Sequence, residues 1–216
     1  MSNEVARGYT LADPRLIAAD SPYTFFLPFQ SHLEAIAPGD SVKLIFEYTH
    51  PTETWSAERM WVVVETVDGT RYSGMLDNHP DEPTSPLSAG NRIEFDRHQI
   101  VDISWNDPVT APPTPERRTF WQRCFVDERV LDGEETVYCL FREEPESNED
   151  DEYQDSGWRI WGGIESATPD ELAKRKFAYV ALGAVLNRDD SWIGWIDAPI
   201  GTDLTRNPST GEFVEE

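Results

Sequence analysis

The densest group of side chains that could do chemistry lies between Glu143 and Asp155, where eight carboxylates fall in thirteen residues. Such a run is compatible with a metal cage, a catalytic carboxylate cluster, a docking surface for a basic partner or a solvated loop. General acid–base catalysis needs carboxylates in unlike environments, which push their pKa values apart. A contiguous run shares one solvated environment instead, so the sequence predicts no catalytic site there.

Neither of two candidate metal sites has a recognised ligand spacing. The acidic run lacks the loop spacing and central glycine of an EF-hand, so only weak association with Ca²⁺ is expected. The second candidate is the sequence DNHPDE, whose potential ligands are Asp77, His79, Asp81 and Glu82. Its two prolines predict an exposed loop, and no second cluster follows at ligand spacing. We therefore predict no metal site and no cofactor.

The nucleophiles do not form a recognisable active site either. Ser156 lacks the G-x-S-x-G elbow of hydrolases, and all four histidines lie in the first half of the chain. Cys124 and Cys139 occupy apolar, strand-like contexts, which are typical of buried structural thiols. Gly162 and Gly163 belong to no phosphate-binding motif. The sequence predicts a protein that is not an enzyme; the alternative is a metal- or small-molecule-dependent enzyme using an interdomain groove near DNHPDE.

The sequence DSGWRIW, which ends the acidic run, predicts a strand in which Trp158 faces one way and Arg159 and Trp161 face the other. Because Trp and Arg are enriched at binding hot spots, one interpretation is a half-exposed aromatic platform that anchors a partner. In the other, both rings are buried and Arg159 pairs with Asp155 or Glu143, which braces the loop. The predicted partner-binding residues are Glu143, Glu144, Asp150, Asp151, Asp155, Trp158, Arg159 and Trp161.

The net charge favours a basic protein partner. The chain carries 41 acidic and 18 basic residues, a formal charge of -23, and both halves are acidic. A field of this sign repels phosphate backbones and attracts basic proteins, although it also keeps a protein soluble. The sequence shows no signal peptide and no run of about 18 apolar residues. We expect a cytoplasmic protein that binds neither nucleic acid nor membrane; its oligomeric state stays open.

A proline-rich stretch, NDPVTAPPTPERR, divides the chain. Its four prolines block helix and sheet hydrogen bonding, which predicts an extended linker. The predicted organisation is an N-terminal segment 1–21, a β-rich barrel-like domain 22–106, a linker 107–118 and an α+β domain 119–216.

Before the linker, strand-like runs separated by turn signals predict five short strands, with a hairpin at Asp68-Gly69 and a short helix around SHLEAIA. This pattern favours a small antiparallel SH3-like barrel within a chain of α+β class. After the linker, Asp132-Gly133 predicts a second hairpin and GWRIWGG another strand. A capping box at Thr168 and Glu171 predicts a helix. The sequence FAYVALGAVL either continues this helix or forms a separate one. SWIGWI is predicted as a strand or a buried extended segment.

Residues 22–103, through YTFFLPF, PGDSVKLIFEY, ERMWVVV, GMLDNHP and LSAGNRIEFDRHQIV, resemble an uncharacterised bacterial family of small β-rich domains. Residues 124–214, through YCLFREEP, DSGWRIWGG and DAPIGTDLTRNPSTGEF, resemble the immunity-protein-like family found beside polymorphic toxins. The segment after WGG departs from that family's acidic, tyrosine-containing stretch, so a partner that contacts it would differ here. The resemblance implies a binding protein that neutralises a toxin, and it carries over no enzymatic residues.

The sequence therefore predicts a non-enzymatic binding protein of immunity type. It would sequester a basic protein, such as a toxin, through the acidic loop and a Trp/Arg anchor. The remaining alternative is an accessory or regulatory protein whose acidic loop contacts no partner.

Overall fold

The chain forms two compact units in a computed structural model that describes residues 8–146, 152–163 and 168–215. The first unit comprises Met1–Asp20 and Phe25–Arg117, and the second comprises Ser21–Thr24 and Arg118–Glu216. The change of unit after residue 117 falls within the predicted linker 107–118, whose role as a linker stays a prediction. No local signal in the sequence predicted that residues 21–24 would join the second unit.

Strands make up most of the regular structure of the described residues. They are β1 (Tyr9–Leu11), β2 (Ser41–Tyr48), β3 (Ala57–Asp68), β4 (Arg71–Leu76), β5 (Arg92–Asp96), β6 (Asp102–Ser104), β7 (Arg123–Asp127), β8 (Cys139–Arg142), β9 (Asp155–Trp161), β10 (Phe177–Ala181), β11 (Asp203–Arg206) and β12 (Phe213–Glu215). The α-helices are α1 (Pro14–Asp20), α2 (Gln30–Ala35), α3 (Glu128–Leu131), α4 (Pro169–Leu172) and α5 (Leu182–Leu186). The fold is thus mostly β with few helices, and the predicted α+β class is not confirmed. No helix in the described ranges is long and apolar enough to span a membrane.

The first unit contains one antiparallel sheet in the order β1-β2-β3-β4-β5, and β6 pairs with β2. β2 is long enough that its first residues pair with β6 and its last with β1, which nearly closes the sheet into a barrel. Its core includes Val42, Leu44, Phe46 and Val62, each fully buried. The predicted hairpin between β3 and β4, the helix α2 and the antiparallel barrel-like architecture are confirmed. The SH3-like topology stays a prediction.

The second unit contains a six-stranded sheet in the order β10-β7-β9-β8-β11-β12, in which β7 and β9 run parallel. The hairpin predicted at Asp132-Gly133 is wrong, because β9 lies between β7 and β8. Gly133 instead follows the end of α3, where its N–H donates to the carbonyl of Val130 at a φ of 73°. A glycine with positive φ is as typical of a helix C-terminus as of a hairpin turn, so the dipeptide alone was ambiguous.

In the second half of this unit, one segment that the sequence predicts as helix forms a strand instead. Residues 177–181 of FAYVALGAVL form β10, and only residues 182–186 form a helix, α5. β10 pairs with β7 over its whole length, so sheet pairing overrides the local preference. The capping box is confirmed, since the Glu171 carboxylate accepts the Thr168 N–H at 2.8 Å at the start of α4. SWIGWI contains a short 3₁₀ helix, Ile193–Trp195, instead of the predicted extended segment.

Candidate functional site

Two of the predicted site residues, Asp155 and Glu143, bind Arg159, whose side chain is only 9% exposed. Its two terminal nitrogens donate to the two carboxylate oxygens of Asp155 at 3.1 and 2.9 Å, in a bidentate pair. Its Nε donates to the carboxylate of Glu143. The guanidinium also lies 4.8 Å from the ring centroid of Phe125, a cation–π contact. Arg159 is therefore satisfied within the protein.

Asp155 and Arg159 can meet only because β9 bulges between them. Four residues of regular strand span about 13 Å, too far for an ion pair. Against β7, however, Asp155 pairs with Arg123 and Arg159 with Phe125, so four residues on β9 advance as far as two on β7. Gly157 produces the bulge with a φ of +83°, and a Cβ there would lie 2.2 Å from the carbonyl oxygen of Glu143. The glycine of DSGWR is therefore required by both backbone conformation and space.

Hydrogen bonds between β9 and the start of the acidic run hold the two ends of the run close together. The N–H of Glu143 donates to the Gly157 carbonyl at 3.0 Å, and the N–H of Glu146 donates to Asp155 at 2.9 Å. The chain leaves β8 at Arg142, whose Nε donates to the Ser156 carbonyl at 3.0 Å. Together, REEP and DSGWR form a bracing network at the base of the loop.

The charge state of Asp155 follows from this network. Its side chain is fully buried, and burial alone would raise its pKa. The Arg159 guanidinium and the N–H groups of Glu146 and Gly157 outweigh burial and hold the pKa of Asp155 below its ordinary value. The carboxylate is therefore ionised at neutral pH, and all its close partners are donors.

Trp158 is a core residue in this structure. It is 0% exposed, its indole N–H donates to the Ile196 carbonyl at 3.2 Å, and its ring packs edge-on against Trp192 at 5.7 Å. Trp161, by contrast, is half-buried. Of the two interpretations of DSGWRIW, the pairing of Arg159 with Asp155 and Glu143 is confirmed, whereas the role of the half-buried Trp161 as an anchor for a partner stays a prediction.

The remaining predicted residues belong to the acidic run. Glu143 and Glu144 are exposed at its start, the former with 48% of its side chain accessible. Asp150 and Asp151 lie outside the described residues. The partner-binding role assigned to these eight residues stays a prediction, but Trp158, Arg159 and Asp155 can serve it only indirectly, by positioning others.

The sheet of the second unit also presents an aromatic face that the sequence did not reveal. We define this aromatic face as the half-buried residues Phe125, Phe141, Trp161, Phe177 and Tyr179. They come from four strands, and the register places them on one side of the sheet, together with Arg159. The rings of Trp161 and Phe177 lie 4.5 Å apart, and those of Phe125 and Tyr179 lie 4.8 Å apart. Residues on the opposite side, such as Trp158 and Ile160, are fully buried.

Two different groups of charges border the aromatic face. On one side, exposed Asp203 pairs in register with Phe141, and exposed Glu143 reaches Arg159. On the other side, Arg175 forms a buried ion pair with Asp127 at 2.5 Å and a second pair with Glu135 at 2.7 Å. The first border is acidic and accessible, whereas at the second the two carboxylates are paired with Arg175 and Arg129. A ligand of this face would therefore meet apolar rings next to open carboxylates.

The DNHPDE loop in the first unit has a structural role. Glu82, only 2% exposed, accepts the N–H groups of Glu53, Thr54 and Trp55. Burial alone would raise the pKa of Glu82, but these donors and the Thr84 hydroxyl hold it well below its ordinary range. Within the described ranges, no group of three or more His, Cys, Asp or Glu side chains could hold a metal ion.

Cys124 and Cys139, which both lie in the described ranges, form no disulfide. Cys124 is fully buried, and burial raises the pKa of its thiol, which keeps it protonated and unreactive at neutral pH. Cys139 is half-buried in β8, beside the aromatic face. The predicted structural role is thus confirmed by burial for Cys124.

Comparison with known families confirms both resemblances. Residues 124–216 match the family model described as the Immunity protein Imm33 domain. Residues 18–108 match the model described as an uncharacterized protein conserved in bacteria (DUF2314). No curated protein and no solved structure matches the chain. The immunity-domain match includes the whole bracing network and the whole aromatic face.

Proposed function

We propose that the protein is a non-enzymatic, cytoplasmic binding protein of immunity type, which neutralises a basic protein partner by covering it. The observation that carries the proposal is the match of residues 124–216 to an immunity-protein domain. The formal charge of -23 supports the sign of the partner, because a strongly acidic protein attracts basic surfaces and repels acidic ones. A toxin is the kind of partner that an immunity protein neutralises.

The proposed contact surface is the aromatic face with its acidic border. Half-buried rings supply contact area at a small cost in side-chain entropy, and Trp and Tyr dominate binding energies at many interfaces. Among Trp158, Arg159 and Trp161, the three residues predicted to form the anchor, Trp161 takes this role. Asp203 and Glu143 supply carboxylates at the edge, where charge mainly raises the association rate and fixes orientation.

The bracing network supports this function by fixing where the acidic run begins and ends. A loop whose two ends are held loses less conformational entropy on binding than a free tail of the same length. Arg159 neutralises the buried Asp155 and also pairs with Glu143, whose side chain stays 48% exposed. The acidic run thus acts as a steering segment next to the aromatic anchor.

The test is a capture experiment with a matched pair of tryptophan variants. Tagged wild-type protein, Trp161→Ala and Trp55→Ala are incubated with host lysate at low and high salt, and captured proteins are identified by mass spectrometry. Trp55 is the control, since it is 53% exposed and belongs to the first unit. We expect one basic protein to be captured stoichiometrically by wild type and Trp55→Ala, more weakly at high salt, and to be lost with Trp161→Ala.

The captured protein is then expressed alone and together with the chain. An immunity function requires that it arrest growth alone and that co-expression restore growth. Capture that is equal for all three proteins would remove the aromatic face from the proposal. A captured protein that is harmless when expressed alone would remove the immunity role.

A further inference from the structure

A cavity in the first unit combines basic and apolar side chains. Its volume is about 590 Å³, within the range of sites that bury small organic ligands. Two arginines and a histidine (Arg15, Arg97, His98) line it together with apolar residues that include Leu33 and Ile100, and every described lining residue belongs to the first unit. None of the described lining residues is Asp or Glu. In a chain with a formal charge of -23, such a lining favours an anionic ligand.

Arg97 holds its guanidinium in place through neutral acceptors. Its Nε donates to the Tyr72 hydroxyl at 3.1 Å, and its Nη2 donates to the Gly69 carbonyl at 2.8 Å. Its backbone N–H donates to the Thr70 carbonyl at 2.8 Å, so the residue is fixed against the turn between β3 and β4. Neither side-chain acceptor is charged, and no described carboxylate forms an ion pair with Arg97. Its positive charge is therefore available to a ligand.

These bonds use one edge of the Arg97 guanidinium and leave the other. Nε and Nη2 form the edge that Tyr72 and Gly69 occupy, whereas Nη1 and the second N–H of Nη2 form the next edge of the planar group. Among the described residues, none accepts a hydrogen bond from this second edge. Two parallel N–H groups of an arginine match the two oxygens of a carboxylate. The fixed guanidinium is therefore a preorganised carboxylate site.

The Tyr72 hydroxyl joins this cation to the apolar side of the cavity. It accepts from Arg97 and donates to the Leu33 carbonyl at 3.3 Å, so one hydroxyl bridges Leu33 and the guanidinium. Ile100 is only 1% exposed and lines the cavity from the core, and the half-buried Leu27 lines it as well. A ligand held by Arg97 would therefore place the rest of its body against aliphatic side chains.

Arg15 cannot take over the role of Arg97, because its guanidinium is already bound. Its Nε and Nη2 donate to the two carboxylate oxygens of Asp13 at 2.8 and 2.5 Å. These bonds lower the pKa of Asp13 to about 2, so the pair consists of two opposite charges at neutral pH and adds no net charge. The helix α1, which carries Arg15, contacts the 3₁₀ helix Arg97–Gln99. Arg97 is thus the arginine of this cavity that can bind an added anion.

We propose that this cavity binds a small organic carboxylate with an apolar body, such as a medium-chain aliphatic acid. The carboxylate pairs with the second edge of the Arg97 guanidinium, and the aliphatic chain lies against Leu27, Leu33 and Ile100. The charge of Arg97 selects the acid over a neutral or cationic analogue, while the apolar lining selects a ligand with a long carbon chain. The site lies in the first unit and the aromatic face in the second, so the proposal does not depend on a toxin partner.

The first test leaves the protein unchanged and varies the ligand. Undecanoate carrying a terminal dansyl group is titrated with the full-length protein, and binding is followed by the rise in dansyl fluorescence. Decanoate, its methyl ester and decyltrimethylammonium then compete for the site at equal concentrations. We expect decanoate alone to displace the probe, because only decanoate carries the carboxylate. Equal displacement by all three compounds, or no binding of the probe, would overturn the proposal. Displacement by a peptide ending in leucine but not by decanoate would assign the cavity to a chain terminus instead, and would overturn it too.

The second test compares two arginine variants that change the net charge equally. Arg97→Gln removes the proposed carboxylate partner, whereas Arg92→Gln removes a 59% exposed guanidinium of the same unit that is not among the residues lining this cavity. We expect Arg97→Gln to weaken probe binding at least about tenfold, the effect of losing a hydrogen bond to a charged group. Arg92→Gln should bind the probe as wild type does. Equal affinities for the two variants would contradict the proposal.

A third variant keeps the bonds of Arg97 to Tyr72 and Gly69. Thr70 lines the cavity and is exposed in the turn between β3 and β4, so Thr70→Trp fills part of the cavity from its rim. We expect this variant to lose probe binding while its unfolding midpoint in urea stays as in wild type; unchanged affinity would place the probe elsewhere. Trp161→Ala should bind the probe as wild type does, whether or not a toxin is captured. Loss of the probe with Trp161→Ala would assign it to the aromatic face and exclude this cavity.

Discussion

Asp155 and Arg159 form a bidentate ion pair within one strand, with N···O distances of 3.1 and 2.9 Å. The pair can form because the bulge at Gly157 shortens the strand between the two residues. This relationship gives a structural role to REEP and DSGWR, two of the sequences on which the family resemblance of the second half rests. They hold the base of the acidic run together, and they do so from inside the protein. The proposed contact with a partner is therefore assigned to their neighbours on the aromatic face.

Removal of Arg159 should destabilise the protein strongly. In Arg159→Ala, Asp155 stays buried without its counter-charge, and we expect the free energy of unfolding to fall by about 3 kcal/mol. Arg118→Ala is the control, because the Arg118–Asp197 pair is 57% and 76% exposed and such pairs contribute about 0.5 kcal/mol. Urea denaturation followed by tryptophan fluorescence measures both. Equal losses for the two variants would contradict a bracing role.

Gly157→Ala tests the bulge itself. The substitution forces a Cβ into the Glu143 carbonyl at a positive φ, and we expect a loss of about 3 kcal/mol. Gly201 has a similar φ of +93° but open space around its Cα, so Gly201→Ala should cost only about 1 kcal/mol. Thermal or urea unfolding of the two variants separates conformational strain from the steric clash. If both lose the same amount, the close approach to Glu143 is not important.

The stability of the protein should depend on pH through Asp155. The pKa of Asp155 in the folded state lies below its ordinary value of 3.8. The ionised carboxylate therefore contributes stability that is present above about pH 4 and is lost as the pH falls through the folded-state pKa. In Asp155→Asn, the free energy of unfolding should fall less steeply from pH 4 to pH 2 than in wild type. Urea denaturation across this range measures the slopes, and parallel profiles would contradict the expectation.

Glu82 should control the local order of its loop. Its carboxylate accepts the N–H groups of Glu53, Thr54 and Trp55, so Glu82→Ala should increase hydrogen exchange at these three amides. Asp81→Ala provides the control at the exposed neighbouring position, where exchange at these amides should stay as in wild type. Hydrogen exchange followed by mass spectrometry of the peptide containing residues 53–55 measures the difference. Unchanged exchange in Glu82→Ala would show that the loop is held by other contacts.

Local signals in the sequence were sufficient for several elements of the fold. The Asp68-Gly69 hairpin, the capping box at Thr168 and the strand over DSGWRIW all depend on residues within one turn or one strand. The same signals were ambiguous where one short sequence is typical of two different local structures. Asp132-Gly133 suits a helix terminus as well as a hairpin, and only the insertion of β9 between β7 and β8 distinguishes the two.

By itself, the sequence determined the acidic charge, the barrel-like antiparallel first half, and the two family resemblances, because composition, alternation and short motifs are properties of neighbouring residues. Only the tertiary structure decided that Trp158 and Arg159 lie inside while Trp161 reaches the surface, that residues 177–181 form a strand, and that five rings from four strands share one face. These outcomes depend on pairings between distant strands and on one bulge at Gly157. Burial is fixed by such long-range packing and not by the local sequence.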